Sequence, residues 1–250
     1  MNWDFTNLRQ SNPKIMEPSV LEETSLKLTF IKHFDDKLAE LRETLLRMGG
    51  CAESSLGQAV QALIDRDDSL ARQVERDDDV TDQYEKDIDD MAINLLTKAP
   101  LATDLRLVTV AMKISQNLER IGDEATTIAR RALNLNTEPL LRCRVDIPRM
   151  AANALGMLRD ALDAFANREP EKARAVVPRD KQVDALNRRL YTKLSGLMAK
   201  DPATISRCLN LIIIAKSLER AADHATNIAQ EVVYVCEALD IRHKTNKMLH

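Results

Sequence analysis

The chain of 250 residues carries a formal net charge of -3 at pH 7, and 44% of its residues are hydrophobic but only 3% aromatic. This hydrophobic content suffices for a packed core, and the six glycines and few aromatic residues favour helices over sheets. The charge provides no basic excess for nucleic-acid binding, and the sequence contains neither a membrane-length apolar run nor a secretory signal. We therefore expect a cytoplasmic all-α protein that binds no nucleic acid. Its four cysteines are widely spaced, as expected for reduced thiols.

The first predicted helix follows a flexible N-terminal arm, residues 1–25, which contains two prolines and lacks regular periodicity. Apolar residues then recur at alternating spacings of three and four between residues 38 and 63, the pattern of a helix. The pattern keeps its phase through Gly49 and Gly50, so we predict that the helix continues through them. It ends near Asp67, a suitable N-cap for the next helix.

Five further helices are predicted, bounded by prolines or by short polar segments. They span residues 68–97, 103–135, 146–168, 170–200 and 202–238. Pro148, Pro170 and Pro202 lie near helix starts, where the missing backbone amide is harmless.

The two halves of the sequence repeat each other. A shift of 102 residues aligns the first two helices with their counterparts, so that Met48 meets Met150. A shift of 100 residues aligns the third and sixth helices, so that Glu119 meets Glu219. A match over three consecutive helices predicts two tandem three-helix bundles related by a pseudo-two-fold axis. The predicted organisation is an arm at 1–25, a first bundle at 26–138, a second bundle at 139–243 and a tail at 244–250.

Acidic residues occupy helix positions where apolar residues are expected. Glu119 lies in the apolar seam of the third helix, and Asp123 follows one turn later on the same face, with Gly122 between them reducing side-chain bulk. The sixth helix repeats the pair with Glu219 and Asp223. The second and fifth helices carry further pairs, Asp78 with Asp82 and Asp180 with Asp184.

Carboxylates inside a bundle must be paired, protonated or metal-bound, because burying an isolated charge costs on the order of several kcal/mol. Ligation by oxygen alone suits iron, manganese or magnesium, and zinc less well. We therefore predict metal ions at these positions. The predicted ligands are Asp78, Asp82, Glu119, Asp123, Asp180, Asp184, Glu219 and Asp223. The alternative is a set of solvated acids paired with Arg120 and Arg220.

Motifs typical of enzymes are missing from the sequence. It contains no phosphate-cradling glycine loop, nucleophile elbow or His-Glu zinc helix. A ferritin-like di-metal oxidase requires a histidine three residues after each liganding glutamate, where this chain has Gly122 and Ala222. His224 falls on a different helix face from Glu219 and is not expected to be a ligand. We therefore predict no catalytic residues and no organic cofactor.

Three segments carry a family resemblance, and the motifs LERIGD and LERAAD within them are the most specific. The segments are ELRETLLRMGG from Glu40, ATDLRLVTVAMKISQNLERIGDEATTIA from Ala102 and LNLIIIAKSLERAADHATNIA from Leu209. Over residues 26–243 the chain resembles the PhoU family, regulators of phosphate uptake and phosphate signalling. Two departures from the family pattern are Ala221 and Ala222 in place of Ile-Gly, and a third is Thr127, where the family often has asparagine.

The resemblance implies a function as well as a fold. It implies two three-helix bundles whose acid pairs bind metal clusters, often of iron. It further implies a cytoplasmic adaptor, expected as a homodimer, that links the ATPase of a phosphate ABC transporter to a sensor histidine kinase. Such an adaptor represses the phosphate-starvation response and meets the membrane only through its partners. The alternative is a metal-dependent helical-bundle enzyme acting on phosphate compounds or dioxygen.

Overall fold

The computed structural model describes residues 20–98, 102–141, 143 and 145–242, with side chains from residue 32 onward. Within these ranges the chain forms α-helices joined by short connections, and no strand is present, which confirms the all-α prediction. The helices are α1 (Val20–Asp65), α2 (Asp68–Leu96), α3 (Ala102–Asn136), α4 (Ile147–Asn167), α5 (Pro170–Val176), α6 (Asp180–Lys200) and α7 (Ile205–Glu237). Residues 1–19 of the predicted arm and the predicted tail 244–250 lie outside the described residues.

Helix α1 begins earlier than the sequence analysis predicted. It starts at Val20, so residues 20–25, assigned to the arm, are helical. Between Pro18 and Gly49 the sequence contains neither proline nor glycine, and this stretch consists largely of good helix formers. The helix continues through Gly49 and Gly50, as predicted from the unbroken apolar pattern.

The predicted helix at 170–200 is wrong as a single element. It is divided by a 3₁₀ turn, Val177–Arg179, which contains Pro178. Proline in a helix interior lacks the amide and collides with the carbonyl one turn before it, so α5 ends at Val176 and α6 restarts at Asp180. A second 3₁₀ turn, Pro202–Thr204, delays the start of the last helix.

The predicted cap between the first two helices is present. The Asp67 carboxylate accepts hydrogen bonds from the amides of Ser69 at 2.9 Å and Leu70 at 3.0 Å. These amides have no acceptor within the helix, so the cap stabilises the start of α2 by about 1 kcal/mol.

The described residues from 37 to 242 form one compact unit, in which α3 and α7 occupy the centre. Helix α3 packs against α2 and α7, and α7 packs also against α4, α5 and α6. The two central helices are antiparallel. Lys113 pairs with Glu231 at 3.3 Å near one end of the interface, and Glu124 pairs with Arg220 at 3.3 Å farther along α3.

Each central helix buries more than one face, because it has neighbours on several sides. One fully apolar stripe of α3 is buried along its length: Ala111, Ile114, Leu118, Ile121, Ala125, Ile128 and Ala132. The equivalent stripe of α7 is also buried: Leu211, Ile214, Leu218, Ala221, Ala225, Ile228 and Val232. The predicted seam of α3 is a second stripe, which faces α2, since the atoms nearest Gly122 belong to Asp78 and Thr81. This second stripe is incompletely buried, because Leu105 at its start is exposed.

The first and second bundles also contact each other through α1 and α4. The Arg42 guanidinium donates hydrogen bonds to the carbonyls of Phe165, at 3.3 Å, and Ala166. A Cβ atom added at Gly49 would lie 2.7 Å from Leu162 Cδ2, so the two helices approach closely there. In the described part of the chain, no helix is long and apolar enough to cross a membrane.

The neighbouring glycines of α1 provide a matched test of this packing. Gly50 is exposed with open space around its Cα atom, so Gly50→Ala should raise the free energy of unfolding by about 1 kcal/mol through helix propensity alone. Gly49→Ala should gain less or lose stability, because Leu162 must move aside. Urea unfolding of both variants measures the difference, and equal stabilisation by both substitutions would contradict the close approach of α1 and α4.

Candidate metal centres

The first carboxylate cluster lies where α2 faces α3. Asp78 and Asp82 are one turn apart on α2, Glu119 and Asp123 are one turn apart on α3, and all four residues are half-buried. Asp78 stands beside Gly122, where an added Cβ would be 3.6 Å from its Oδ1 atom. The structure therefore places the four predicted ligands of the first half on two neighbouring helices that face each other.

Burial and mutual repulsion raise the pKa values of carboxyls in this cluster. Burial, with the nearby charge of Asp123, raises the pKa of Glu119 to about 7, although Arg120 opposes the rise. Burial also raises the pKa of Asp78, and the charges of Asp123 and Asp82 add to the effect. Carboxyls so placed hold their negative charge poorly unless a cation lies close by.

The second cluster occupies the equivalent place in the second half. Asp180 and Asp184 come from the start of α6, and Glu219 and Asp223 come from α7. Burial and the charges of Asp184 and Glu219 raise the pKa of Asp180. Asp223 as a residue is exposed, yet partial desolvation of its carboxyl and the charges of Asp180, Glu219 and Asp184 raise its pKa to about 6.

Both clusters contain buried oxygen atoms that have no hydrogen-bond partner within the described residues. They are Glu119 Oε2 and Thr126 Oγ1 in the first half, and Asp180 Oδ1 and Thr226 Oγ1 in the second. The Thr126 hydroxyl faces Asp78 and moderates the rise in its pKa without reaching hydrogen-bond geometry. An unsatisfied buried oxygen costs about 1–3 kcal/mol, so each such atom is a place where a ligand would be stabilised.

Basic side chains partly neutralise the first cluster. Arg120 places Nε 3.3 Å from Glu119 Oε2 and Nη1 3.2 Å from Asp123 Oδ2, which matches the alternative of acids paired with arginine. Arg220 does not follow the same pattern. It pairs with Glu124 across the interface between α3 and α7 and leaves the acids of its own helix to other partners.

Basic partners also reach the second cluster. Lys216 pairs with Glu219, and Arg188 Nη1 lies 3.9 Å from Asp184 Oδ2. Among the described residues, no three histidine, cysteine, aspartate or glutamate side chains are gathered closely enough to hold a metal ion as they stand. The carboxylates must rotate away from their basic partners before they can ligate a shared cation.

The residues nevertheless fit a hard cation in chemistry and charge. All eight predicted ligands supply oxygen, four of the carboxyls have raised pKa values, and each half contains a buried carboxylate oxygen without a hydrogen bond. The donor set is thus suitable, while the arrangement of the side chains is that of ion pairs.

Sequence reasoning missed one acid of the first cluster, Glu85. Its pKa is raised by burial and by the charges of Asp89 and Asp82, and it acts in turn on Glu119. A signal was present, because Glu85 lies seven residues after Asp78 on the same face of α2. The second half has Asn187 at the equivalent position, so the two clusters differ in charge.

His224 is not directed at the carboxylates of its own helix. Its Nδ1 atom lies 3.0 Å from Asn117 Oδ1, across the interface with α3. The imidazole is thus directed towards α3, and the prediction that His224 is no ligand of the cluster containing Glu219 stays a prediction. Burial lowers the pKa of its imidazole, which favours the neutral form.

The raised pKa of Glu119 predicts how the stability of the metal-free protein depends on pH. Its pKa is about 7 in the folded state against 4.5 for the ordinary side chain, so folding favours the protonated carboxyl. The destabilisation from this group therefore appears as pH rises through the window between these values. Glu119→Gln should gain stability over the wild type at about pH 8, and the difference should shrink towards pH 4.5.

Chemical unfolding in the presence of a chelator at several pH values measures this effect. The control is Asp79→Asn, which removes an exposed acid of α2. It should not change how stability depends on pH. Parallel pH profiles for Glu119→Gln and the wild type would show that Glu119 is not held among repelling charges.

Comparison with known proteins places both halves in one family. The PhoU domain family matches residues 45–132 and again residues 147–232. The phosphate-specific transport system accessory protein PhoU homolog of Pseudomonas putida is 40% identical over 226 residues, or 90% of this chain and 88% of that protein. The homolog from Caulobacter vibrioides (strain NA1000 / CB15N) is 39% identical over 202 residues, or 80% of this chain and 88% of that protein.

Solved structures agree with the sequence comparison. The crystal structure of PhoU from Pseudomonas aeruginosa superimposes with a TM-score of 0.80 at 40% identity, covering 82% of this chain and 100% of that one. The phosphate transport system regulatory protein PhoU from Streptococcus pneumoniae gives a TM-score of 0.78 at 30% identity, covering 83% and 99%. With the same domain matched in both repeats and the same fold around the paired acids, the chain belongs to the PhoU family.

Proposed function

We propose that the protein is a cytoplasmic regulatory adaptor of phosphate uptake that represses the phosphate-starvation response when phosphate is plentiful. It links the ATPase of a phosphate ABC transporter to a sensor histidine kinase, and it acts as a homodimer. The observation that carries this proposal is the PhoU-domain match in both halves, with relatives named as accessory proteins of phosphate-specific transport. The chain covers 88% of the length of both relatives, which supports extending their role as a whole to it.

The proposal includes metal binding at the two carboxylate clusters, with iron as the expected metal and manganese, magnesium or zinc as alternatives. Asp78, Asp82, Glu119 and Asp123 would hold it in the first half. The second set of ligands would be Asp180, Asp184, Glu219 and Asp223. A bound cation would neutralise carboxyls that repel one another, replace the Arg120 ion pair at Glu119 and satisfy the Asp180 oxygen that lacks a hydrogen-bond partner.

Metal binding at these places would connect each central helix to an outer helix. In the first half the ligands come from α2 and α3, and in the second half from α6 and α7. Arg120 and Lys216 now pair with Asp123 and Glu219, and ligation would release both basic groups to the surface. Occupancy would therefore change the charge that the surface presents to a partner protein.

The alternative is a metal-dependent enzyme acting on phosphate compounds or dioxygen, and one observation favours it. Glu119, with a pKa of about 7, has the protonation behaviour of a general acid or base. Against this reading, the described residues place no histidine or cysteine in a ligand group with the acids. Turnover assays of iron- or manganese-loaded protein with phosphate esters and with dioxygen separate the two functions. Activity that Glu119→Gln abolishes would overturn the adaptor proposal.

Each of the two clusters should account for a separate share of the bound metal. The double variant Glu119→Ala with Asp123→Ala should lose about half of the bound metal, because the second cluster stays intact. Adding Glu219→Ala and Asp223→Ala should remove the rest. Elemental analysis after gentle purification and after reconstitution measures this.

A matched control is available on α2, where Asp77 and Asp79 are exposed acids on another face of the helix. The variant Asp77→Ala with Asp79→Ala removes two negative charges as well, and its metal content should equal that of the wild type. Equal metal loss in this control would mean that the ions bind acidic surface in general and not the proposed clusters.

The adaptor role predicts two partners in one experiment. The tagged full-length chain, used as bait in extracts of phosphate-replete cells, should recover a transporter ATPase and a sensor histidine kinase. The cluster variant Glu119→Ala with Asp123→Ala should recover less of at least one of them, whereas the exposed-acid control should not. Recovery of neither protein by the wild-type chain would contradict the adaptor proposal.

A further inference from the structure

The internal repeat allows the two ends of the molecule to be compared. Arg66 follows α1 and Arg168 follows α4, and the 102-residue shift makes them equivalent. Both adopt the left-handed backbone conformation, with φ of 57° and 56°. Residues other than glycine are uncommon in this conformation. Both halves nevertheless place an arginine at this position, directly after a helix.

In the first half, the side chain of this arginine is hydrogen-bonded to backbone carbonyls. The Arg66 guanidinium donates hydrogen bonds to the carbonyl oxygens of Leu135 at 3.2 Å, Asn136 at 2.6 Å and Glu138 at 2.7 Å. These are the last carbonyls of α3 and its following turn, which have no acceptor role within the helix. Arg66 thus closes the end of α3.

In the second half, the side chain of the equivalent arginine makes no such hydrogen bonds within the described residues. The Arg168 amide donates to the carbonyl of Phe165, but among the residues that the structure describes its guanidinium makes no hydrogen bond or ion pair. It lines a cavity of about 570 Å³ together with Val235 and Cys236, the counterparts of Leu135 and Asn136.

Two further arginines line the same cavity. Arg42 approaches from α1 and lies over the Phe165 ring at 5.8 Å while it donates to backbone carbonyls. Arg106 approaches from α3 and lies over the Tyr234 ring at 5.7 Å, without an ion pair in the described part of the chain. Three guanidinium groups therefore line one opening. Burial lowers the pKa of Arg42, and the positive charge of Arg168 lowers it further.

Two acids also line the cavity, Asp104 and Glu237, so the three arginines outnumber them. Glu237 lines the cavity but is paired with Arg174 at 2.9 Å, and Arg174 is not a lining residue. Asp104 lies in the first turn of α3 and accepts a hydrogen bond from the Thr103 hydroxyl at 3.5 Å. The start of this 35-residue helix also faces the cavity, and helix starts attract anions through their unpaired amides.

We propose that this cavity, lined by Arg42, Arg106 and Arg168, binds a small molecule through a phosphate group. Guanidinium groups match phosphate in geometry and charge, and several together favour it over a single carboxylate. The volume lies within the range of small-molecule sites, about 300–1,000 Å³, so there is room beyond one phosphate group. Leu107, Phe165 and Val235 supply an apolar wall for the remainder of the ligand. The site shares no residue with the carboxylate clusters, so it stands independently of the proposed function.

Titration calorimetry on the full-length chain, at constant ionic strength, tests the site with inorganic phosphate, pyrophosphate and ATP as separate probes. At least one probe should bind saturably with one site per chain. Binding of inorganic phosphate would identify the free ion as the source of the phosphate group, and binding of ATP or pyrophosphate alone would identify a phosphorylated metabolite. Absence of saturable binding by all three probes overturns the proposal.

Variants locate the binding within the molecule. Arg106→Gln and Arg168→Asn should each weaken binding by about tenfold or more, since each removes a charge-assisted hydrogen-bond donor. Asparagine tolerates the left-handed backbone at residue 168, so this variant should fold normally. The control is Arg149→Gln, an exposed arginine about 28 Å away at the other end of α4, and it should leave the affinity unchanged. Equal weakening by the control, or none in the cavity variants, overturns the proposal.

Cysteine labelling gives a readout that does not depend on substitutions. Cys236 lines the cavity and is half-buried, and Cys51, also half-buried, does not line it. Bound ligand should slow the alkylation of Cys236 severalfold, as followed by mass spectrometry of peptides, and leave Cys51 unchanged. Equal rates at Cys236 with and without a saturating probe would contradict this location.

Discussion

The antiparallel packing of α3 against α7 is the constraint on which the rest of the structure depends. These two helices lie at the centre of the compact unit and contact helices on several sides, so each must bury more than one face. Small and aliphatic side chains satisfy this requirement, because they permit close packing on every side without polar groups to pair. The low aromatic content of the chain follows from the same demand, as does the long run of alanine, isoleucine and leucine in both helices.

The central packing also determines where the carboxylates can lie. One stripe of each central helix is wholly apolar, so the acids of α3 and α7 occupy the neighbouring stripe. An outer helix covers this second stripe on one side only. Glu119 and Asp180 are therefore dehydrated enough for their pKa values to rise, yet remain close enough to the surface for Arg120 and other basic groups to reach the clusters. A cation that replaced the basic groups would meet carboxylates already held near one another by the fold.

Much of this arrangement could be predicted from residues alone, because it depends on local rules. Apolar spacing predicts the helices, including the continuation of α1 through its two glycines. The internal repeat predicts that acid pairs occur at equivalent places in both halves. Pro178 was overlooked, although proline chemistry alone predicts the break between α5 and α6. The choice of partners could not be predicted. Whether Arg220 meets an acid of its own helix or Glu124 of α3 depends on how two helices lie across each other, which spacing does not encode.

The pseudo-two-fold relation has a consequence for evolution. Two identical three-helix subunits would be bound to change together, since any substitution would occur on both sides of their axis. Joining them in one polypeptide removes that coupling. Glu124 now pairs with Arg220, whereas the equivalent position holds His224, which contacts Asn117 instead. One end closes a helix with Arg66 while the other leaves Arg168 facing a cavity. The two repeats thus differ at equivalent positions, so the two ends of the compact unit offer different groups to a ligand.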